Sequence, residues 1–165
     1  MEIVTPQDFF RILKNSYLLL DTNVFIDAFH NPNEFGKYFN NLKENGVTLV
    51  TIDAVLIEFT KGSTEIKKLQ EKNEYFNNVV DAILPIDKSA VNNTYELLKR
   101  YKIEAKDISI VDLLLGGMLV KYKGKILLMT KDIKDFPTNI YELKTFLNIV
   151  RSKSIHNFGI FSFTK

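Results

Sequence analysis

Along the chain, short apolar runs alternate with longer amphipathic stretches. The apolar runs have the length of buried strands, and the longer stretches repeat apolar residues at helical spacing. The predicted strands are 17–20, 47–52, 83–86, 126–130 and 155–163, and the predicted helices are 23–30, 34–45, 53–61, 64–80, 88–101 and about 109–122. This alternation predicts a three-layer α/β/α fold with a mostly parallel central sheet.

Local signals sharpen several of these bounds. Pro32 should end the helix predicted at 23–30, because the residue before a proline is pushed out of helical geometry. Asp53 is a candidate cap for the helix that follows it, and either Asp107 or Ser109 should cap the strongly apolar helix. Gly116-Gly117 inside that helix weakens it, which indicates close packing against another element.

The composition limits the possible functions. The 165 residues contain no repeat and no linker, so we expect one domain over 1–165. The absence of cysteine excludes disulfides, zinc-thiolate sites and thiol nucleophiles. No apolar run approaches the roughly 20 residues that span a membrane, and we expect a cytoplasmic protein. A net charge of +2 neither requires nor excludes nucleic acid as a partner.

Acidic residues stand where the apolar segments end or are interrupted. Asp21 follows the first predicted strand, Glu58 and Asp112 lie within apolar helices, and Asp132 and Asp135 follow the strand that ends at Thr130. A carboxylate among aliphatic residues is costly unless it is neutralised, and several brought together repel one another. A divalent cation would supply the missing charge, and oxygen ligands favour Mg²⁺ or Mn²⁺.

Each acid also has a simpler interpretation when it is taken alone. Asp21 could be a helix cap, Asp132 and Asp135 could belong to a polar turn, and Asp112 could interact with a helix dipole. All of these holding at once is less probable than a shared acidic site. Lysines beside the acids are candidates for phosphate contacts, namely Lys61, Lys131 and Lys134.

These motifs resemble those of PIN domains, the nuclease domain of VapC-type toxins and of RNA-processing factors. Residues 19–27, Leu-Leu-Asp-Thr-Asn-Val-Phe-Ile-Asp, are similar to the opening motif of the family. Glu58 stands in the order of the second acid, residues 108–114 look like the segment of the third, and residues 128–136 like that of the last. The resemblance covers about 17–136 and leaves 137–165 as a C-terminal extension.

The resemblance implies a metal-dependent endoribonuclease. Asp21, Glu58, Asp112 and Asp132 would hold one or two Mg²⁺ or Mn²⁺ ions, with Asp135 the alternative to Asp132 as the fourth acid. Thr22 and Asn23 would orient the Asp21 carboxylate. Thr130 would donate a hydrogen bond to a metal-binding carboxylate or to a metal-bound water. The substrate would be single-stranded or looped RNA. A toxin of this family would have an antitoxin protein as its partner, and homodimers are common in the family.

Two other functions remain in competition. A haloacid-dehalogenase-like phosphatase also begins with an Asp after its first strand, but it requires a second Asp where this chain has Asn23. The non-enzymatic alternative is an RNA- or protein-binding module that keeps the PIN fold without cleavage. The intact acids weigh against that module.

Overall fold

The computed structural model describes residues 1–101, 108–152 and 154–163. These residues form a mixed α/β fold around a seven-stranded sheet. Its strands are β1 Glu2–Val4, β2 Tyr17–Leu20, β3 Thr48–Thr51, β4 Ala82–Ile83, β5 Ile126–Thr130, β6 Glu142–Arg151 and β7 Ser154–Ser162. Its helices are α1 Phe9–Leu13, α2 Thr22–His30, α3 Pro32–Glu44, α4 Asp53–Thr60, α5 Ile66–Val79, α6 Lys88–Tyr101 and α7 Ile110–Lys121. None of the helices in these ranges is long and apolar enough to cross a membrane.

The centre of the sheet is parallel, as the sequence predicts. The strand order is β1-β6-β7-β5-β2-β3-β4, and β5, β2, β3 and β4 run in the same direction. Every residue of β5 is buried, and successive side chains of a strand point to opposite faces. The central sheet is therefore covered on both faces, which confirms the predicted α/β fold class.

The other side of the sheet is antiparallel, which the sequence did not indicate. β6 and β7 form a hairpin, β7 pairs with β5, and β1 pairs with β6. The strand predicted at 155–163 is confirmed as β7. β6 was missed because a register shift between Leu143 and Thr145 interrupts its alternating pattern. β1 and α1 are too short to show a clear period.

Two of the predicted helix boundaries are confirmed and one is wrong. α2 ends at His30 and Pro32 begins α3, where its missing N–H costs nothing. Ser109 is the N-cap of α7, whereas Asp107 lies outside the described residues. Asp53 does not cap α4, because the chain is already helical there and Ile52 holds the cap position.

The paired glycines of α7 pack closely against neighbouring elements, as predicted. A Cβ on Gly117 would lie 2.8 Å from the Ala90 carbonyl oxygen and would also meet the Thr94 hydroxyl of α6. A Cβ on Gly116 would meet the Tyr141 hydroxyl. The glycines therefore let α7 approach α6 closely, and this packing positions the first turn of α7.

The connections create a crevice at one edge of the parallel strands. From β2 the chain passes through α2 and α3 to β3 on one side, and it later returns through α6 and α7 to β5 on the other side. In open α/β sheets, ligands bind beyond the carboxyl ends of the strands at such a reversal. The carboxyl ends of β2 and β5 are Leu20 and Thr130, so the residues that follow them face this crevice.

Candidate metal centre

Asp21 lies between the end of β2 and the first turn of α2. Its Oδ1 accepts a 2.6 Å hydrogen bond from the backbone N–H of Thr22, and its side chain is buried. Its Oδ2 accepts hydrogen bonds of 2.6 Å from the Asn23 amide and 2.6 Å from the Thr130 hydroxyl. Asp21 is therefore the cap that the simple interpretation proposes, and it also points a carboxylate into the crevice.

Asp112 lies in the first turn of α7, where the helix dipole favours a negative charge. The Ser109 hydroxyl donates a 2.5 Å hydrogen bond to Asp112 Oδ2, while Ser109 Oγ accepts from the Asp112 backbone N–H at 3.0 Å. The second of these bonds is an ordinary N-cap contact, while the first adds a side-chain bond between the cap residue and the acid. The same contacts that begin the helix therefore fix the direction of the Asp112 carboxylate.

Asp132 is held against the first motif by Asn23 and Thr130. The Asn23 amide donates a 3.0 Å hydrogen bond to Asp132 Oδ2, and Asn23 Oδ1 accepts from the Lys131 backbone N–H at 3.1 Å. The Asp132 backbone N–H donates to Thr130 Oγ1 at 2.9 Å. Asn23 thus joins the loop after β5 to the first turn of α2.

The three aspartates converge. Within the described ranges, Asp21, Asp112 and Asp132 each offer a carboxylate oxygen, and these oxygens lie within 4.8 Å of one another. Asp21 and Asp112 are buried, whereas Asp132 is exposed, so the cluster opens to solvent on the side of the β5 loop. Residues separated by up to 111 positions meet here because parallel strands bring their carboxyl ends to one edge.

Burial, and to a smaller extent mutual repulsion, disfavours the ionised forms of Asp21 and Asp112. Burial raises the pKa of Asp21 to about 7, opposed by its hydrogen bond from Thr130 and reinforced by the charge of Asp112. Burial likewise raises the pKa of Asp112 to about 6, opposed by the bond from Ser109 and reinforced by neighbouring carboxylates. None of the ion pairs formed by the described residues neutralises Asp21, Asp112 or Asp132.

The donor set fits a hard divalent cation. Three carboxylates that converge without a lysine or arginine partner repel one another, and a dication would remove that repulsion. Their hydrogen bonds to Thr22, Asn23, Ser109 and Thr130 orient the carboxylates and resemble the outer contacts that tune metal ligands. The site has no sulfur and no imidazole donor, so a soft metal is disfavoured.

Glu58 and Asp135 lie near this cluster without belonging to it. Glu58 is on α4, and its Oε2 accepts a 2.5 Å hydrogen bond from the Thr22 hydroxyl. The charges of both Glu58 and Asp135 raise the pKa of Asp112, so both carboxylates are within electrostatic reach of it. Of the two alternatives for the fourth acid, the geometry brings Asp132 and not Asp135 into the group of three.

The three candidate lysines have different surroundings. Lys61 follows the end of α4 and is exposed, and Lys134 is exposed on the short 3-10 turn Ile133–Asp135. Lys131 is partly buried, with its Nζ 2.5 Å from Asp27 Oδ2 and 5.1 Å from the centre of the Phe158 ring. Lys131 therefore forms a structural ion pair, while Lys61 and Lys134 present their ammonium groups to solvent.

Two residues of the site region have roles that the sequence analysis missed. Ser109 was expected only as a helix cap, although it also binds the Asp112 carboxylate. A serine three positions before an acid at a helix start is the signal that could have shown this. Asp27 belongs to the opening motif, and on α2 it forms an ion pair with Lys131 of the loop after β5. No local pattern predicts that long-range pair.

Comparison with known proteins agrees with the motifs. The model of the PIN domain family matches residues 18–137, close to the predicted range of resemblance. No curated protein matches the sequence significantly. Among solved structures, a chain of VapBC2 from Rickettsia felis bound to a DNA fragment from their promoter is similar in fold, with a TM-score of 0.58 and 21% identity over 72% of this chain and 89% of that one. The family model covers most of the sequence, and the chain belongs to the PIN domain family.

Proposed function

We propose that the chain is a metal-dependent endoribonuclease that hydrolyses phosphodiester bonds of RNA. The observation that carries this proposal is the convergence of the Asp21, Asp112 and Asp132 carboxylate oxygens within 4.8 Å. Membership of the PIN family, whose domains are generally nucleases, supports the same reaction class. The phosphatase alternative lacks its second Asp, because Asn23 occupies that position and donates to two of the acids.

The three aspartates would hold one or two Mg²⁺ or Mn²⁺ ions, with Glu58 as a fourth acid at the edge of the site. Such an ion, when bound, lowers the pKa of a coordinated water and stabilises negative charge on phosphoryl oxygens. Thr130 and Asn23 keep Asp21 and Asp132 in place, and Ser109 does the same for Asp112. The products would be a 5′-phosphate and a 3′-hydroxyl.

The substrate would be single-stranded or looped RNA. The acids lie in a crevice, two of them buried, and the scissile phosphate must leave a regular duplex to reach them. Lys61 and Lys134 are exposed on elements adjoining Glu58 and Asp132, where they would attract the phosphates on either side of the cleavage position.

The chain would act as the toxin of a toxin–antitoxin pair. The similarity in fold to a chain of the VapBC2 complex supports this assignment. An antitoxin would then bind the chain and block access to the acidic crevice, and the toxin would form a homodimer. Co-expression with the product of the adjacent gene tests this proposal. Relief of growth inhibition and co-purification support it, whereas inhibition that the neighbour leaves unchanged contradicts it.

The nuclease itself is tested by incubating the protein with a mixed panel of labelled RNAs and Mg²⁺ or Mn²⁺. Wild type is compared with Asp21→Asn, Asp112→Asn and the control Asp8→Asn, whose exposed carboxylate pairs with Arg11 and does not belong to the acidic cluster. We expect cleavage by wild type and the control, loss of at least a hundredfold in the two site variants, and no cleavage in EDTA.

Cleavage that persists in both site variants would show a contaminating activity. Its complete absence in wild type, with RNA still bound, would favour the non-catalytic binding module.

A further inference from the structure

A second candidate site lies at the opposite edge of the parallel strands from the acids. A cavity of about 520 Å³ is formed by the starts of β2 and β5, the end of β7 and the segment that joins α1 to β2. Tyr17 begins β2 and Asp21 follows it, so about four residues, or roughly 13 Å of strand, separate the two edges. The cavity is therefore distinct from the acidic crevice.

The chain builds this cavity with two tight turns and one antiparallel strand. Asn15 has a φ of +59° after α1, and Gly124 has a φ of +73° in the turn before β5. Both residues turn the backbone sharply. Lys14 therefore lies just before the start of β2, and Lys125 just before the start of β5. Because β7 runs against β5, its last residue, Ser162, also reaches this edge.

The cavity wall is basic. Lys14, Lys125 and Lys144 line it, and Lys144 pairs with Glu142 at 2.7 Å. Among the ion pairs of the described residues, none uses Lys14 or Lys125. Two lysines without an ion-pair partner on one concave surface create a local positive potential that favours an anion. Lysine suits a phosphate group as a point charge.

A buried hydroxyl at the same wall has no hydrogen-bond partner. Ser162 is 2% exposed, and its Oγ makes no hydrogen bond within the described part of the chain. A buried polar atom without a partner is uncommon in folded proteins and calls for an explanation such as a bound ligand. The Oγ is covered in the unliganded protein, so an oxyanion seated between the lysines would become its acceptor once the side chains over it move aside.

A smaller, more apolar cavity adjoins the basic one. It has a volume of about 300 Å³, shares Tyr17 and Lys125 with the first cavity, and is completed by Leu84, Tyr122 and Ile126. Tyr17 is about half exposed although it begins a central strand. Exposed aromatic rings beside cations provide the two contacts that a nucleotide requires, since bases stack on aromatic rings while phosphates bind lysine.

We propose that this edge binds a nucleoside phosphate. The phosphate lies between Lys14 and Lys125 and accepts a hydrogen bond from Ser162, while the base stacks on Tyr17 and enters the apolar cavity. The nucleoside phosphate is either a free nucleotide or the end of an RNA strand, and the chemistry of recognition is the same. The site does not depend on the acidic cluster being a nuclease centre.

The test measures binding to the full-length protein in EDTA, so that no metal contributes and no RNA is cleaved. Uridine monophosphate and adenosine monophosphate are titrated by calorimetry. The nucleosides uridine and adenosine test the base alone, and inorganic phosphate tests the phosphate alone. We expect saturable binding of the nucleotides, and binding at least tenfold weaker for the nucleosides and for phosphate. Equal affinity for the nucleotides and for inorganic phosphate would show that the base does not contact Tyr17, and would overturn the proposed nucleotide specificity.

Variants then locate the binding. We expect the affinity to fall at least tenfold in the double variant Lys14→Ala/Lys125→Ala and severalfold in Ser162→Ala and Tyr17→Leu. Lys88→Ala is the matched control, because Lys88 is an exposed lysine at the start of α6, and it should bind as wild type does. Wild-type affinity in the double lysine variant, in a protein that unfolds normally, would overturn the proposal.

A 5′-phosphorylated RNA pentamer distinguishes the two sources of the ligand. If the site receives an RNA end, the pentamer should bind more tightly than the mononucleotide and should displace it, and removal of its 5′-phosphate should abolish the gain. If the site receives a free nucleotide, the mononucleotide should bind more tightly. Absence of binding for both, with nuclease activity intact, would reject this site and leave the proposed nuclease standing.

Discussion

The Thr130 hydroxyl donates a 2.6 Å hydrogen bond to Asp21 Oδ2 across two buried strand ends. Thr130 Oγ1 also accepts a hydrogen bond from the Asp132 backbone N–H at 2.9 Å. One hydroxyl therefore fixes the relative positions of the first and last acids of the site. It also opposes the rise in the pKa of Asp21 that burial causes, so it favours the ionised form that binds a cation.

Replacing Thr130 with valine removes this hydroxyl and keeps the shape of the side chain. We expect Thr130→Val to lower kcat/KM for RNA and the affinity for Mn²⁺ by about 10- to 100-fold, the usual cost of losing a contact behind a metal ligand. Thr130→Ser retains the hydroxyl and should stay within a few-fold of wild type. Equal activity of the two variants would show that the hydroxyl does not orient Asp21.

The stability of the metal-free protein should fall as pH rises. The pKa of Asp21 is raised from 3.8 to about 7 in the folded protein, so between these values the folded state holds a proton that the unfolded state has lost. The contribution of Asp21 is thus fully present below pH 4 and lost by about pH 7. Asp112 acts in the same direction and over a narrower range, up to about pH 6.

Urea unfolding at pH 5, 6, 7 and 8 measures this effect. In EDTA we expect the free energy of unfolding to decrease from pH 5 to pH 7, and 5 mM Mg²⁺ should restore it increasingly at higher pH because the cation binds the ionised carboxylates. Asp112→Asn removes one titrating group, so its slope should be flatter and its response to Mg²⁺ smaller. A stability that rises over this range and does so equally in the variant would contradict the raised pKa values.

The sequence alone indicated the acidic edge because its signals are local. An aspartate directly after a buried strand, such as Asp21, lies at the carboxyl edge of a parallel sheet whatever the surrounding details. The strand at 126–130 could also be predicted from the sequence, since it is an apolar run that ends at Thr130.

The missed features depend on contacts between distant residues. The antiparallel half of the sheet exists because β7 pairs with β5, and no turn signal in the sequence requires that pairing. Whether Asp132 or Asp135 joins the acids depends on Asn23, which donates to Asp132 from the first turn of α2. The ion pair of Lys131 with Asp27 likewise joins the loop after β5 to α2, between residues 104 positions apart. Such contacts depend on how the elements pack, and the spacing of apolar residues along the sequence does not reveal them.

The approach of α7 to α6 should not tolerate a side chain at Gly117. A Cβ there would lie 2.8 Å from the Ala90 carbonyl oxygen, and backbone atoms cannot move aside cheaply. We expect Gly117→Ala to lower the free energy of unfolding by about 2 kcal/mol, as overpacking of a close contact usually does. Chemical unfolding measures this, and Mn²⁺ affinity should fall as well because α7 carries Asp112.

Gly36 provides the matched control on α3. A Cβ at Gly36 would meet nothing within 4 Å, so Gly36→Ala gains helix propensity without a clash. We expect it to raise the free energy of unfolding by about 0.5–1 kcal/mol. The same small gain in Gly117→Ala would show that α7 can move away from α6 without cost.

Lys131 and Lys134 should differ in their effects although only two residues separate them. Lys134 is exposed, so Lys134→Ala should weaken RNA binding severalfold without changing stability, and should reduce the salt dependence, d log K/d log[salt], by about 0.7 for a single-stranded RNA. Lys131 is paired with the buried Asp27, so Lys131→Ala should lower the free energy of unfolding by about 2 kcal/mol.

Fluorescence anisotropy at several salt concentrations measures the RNA binding of both variants, with catalysis blocked by EDTA. The double variant Lys131→Ala/Asp27→Asn should recover part of the lost stability, because it removes the carboxylate that Lys131 neutralises. Recovery of stability in the double variant would show that Lys131 stabilises the fold. A lysine that contacted only RNA would leave the free energy of unfolding unchanged when it is replaced. A reduced salt dependence in Lys131→Ala equal to that in Lys134→Ala would instead place both ammonium groups on the RNA.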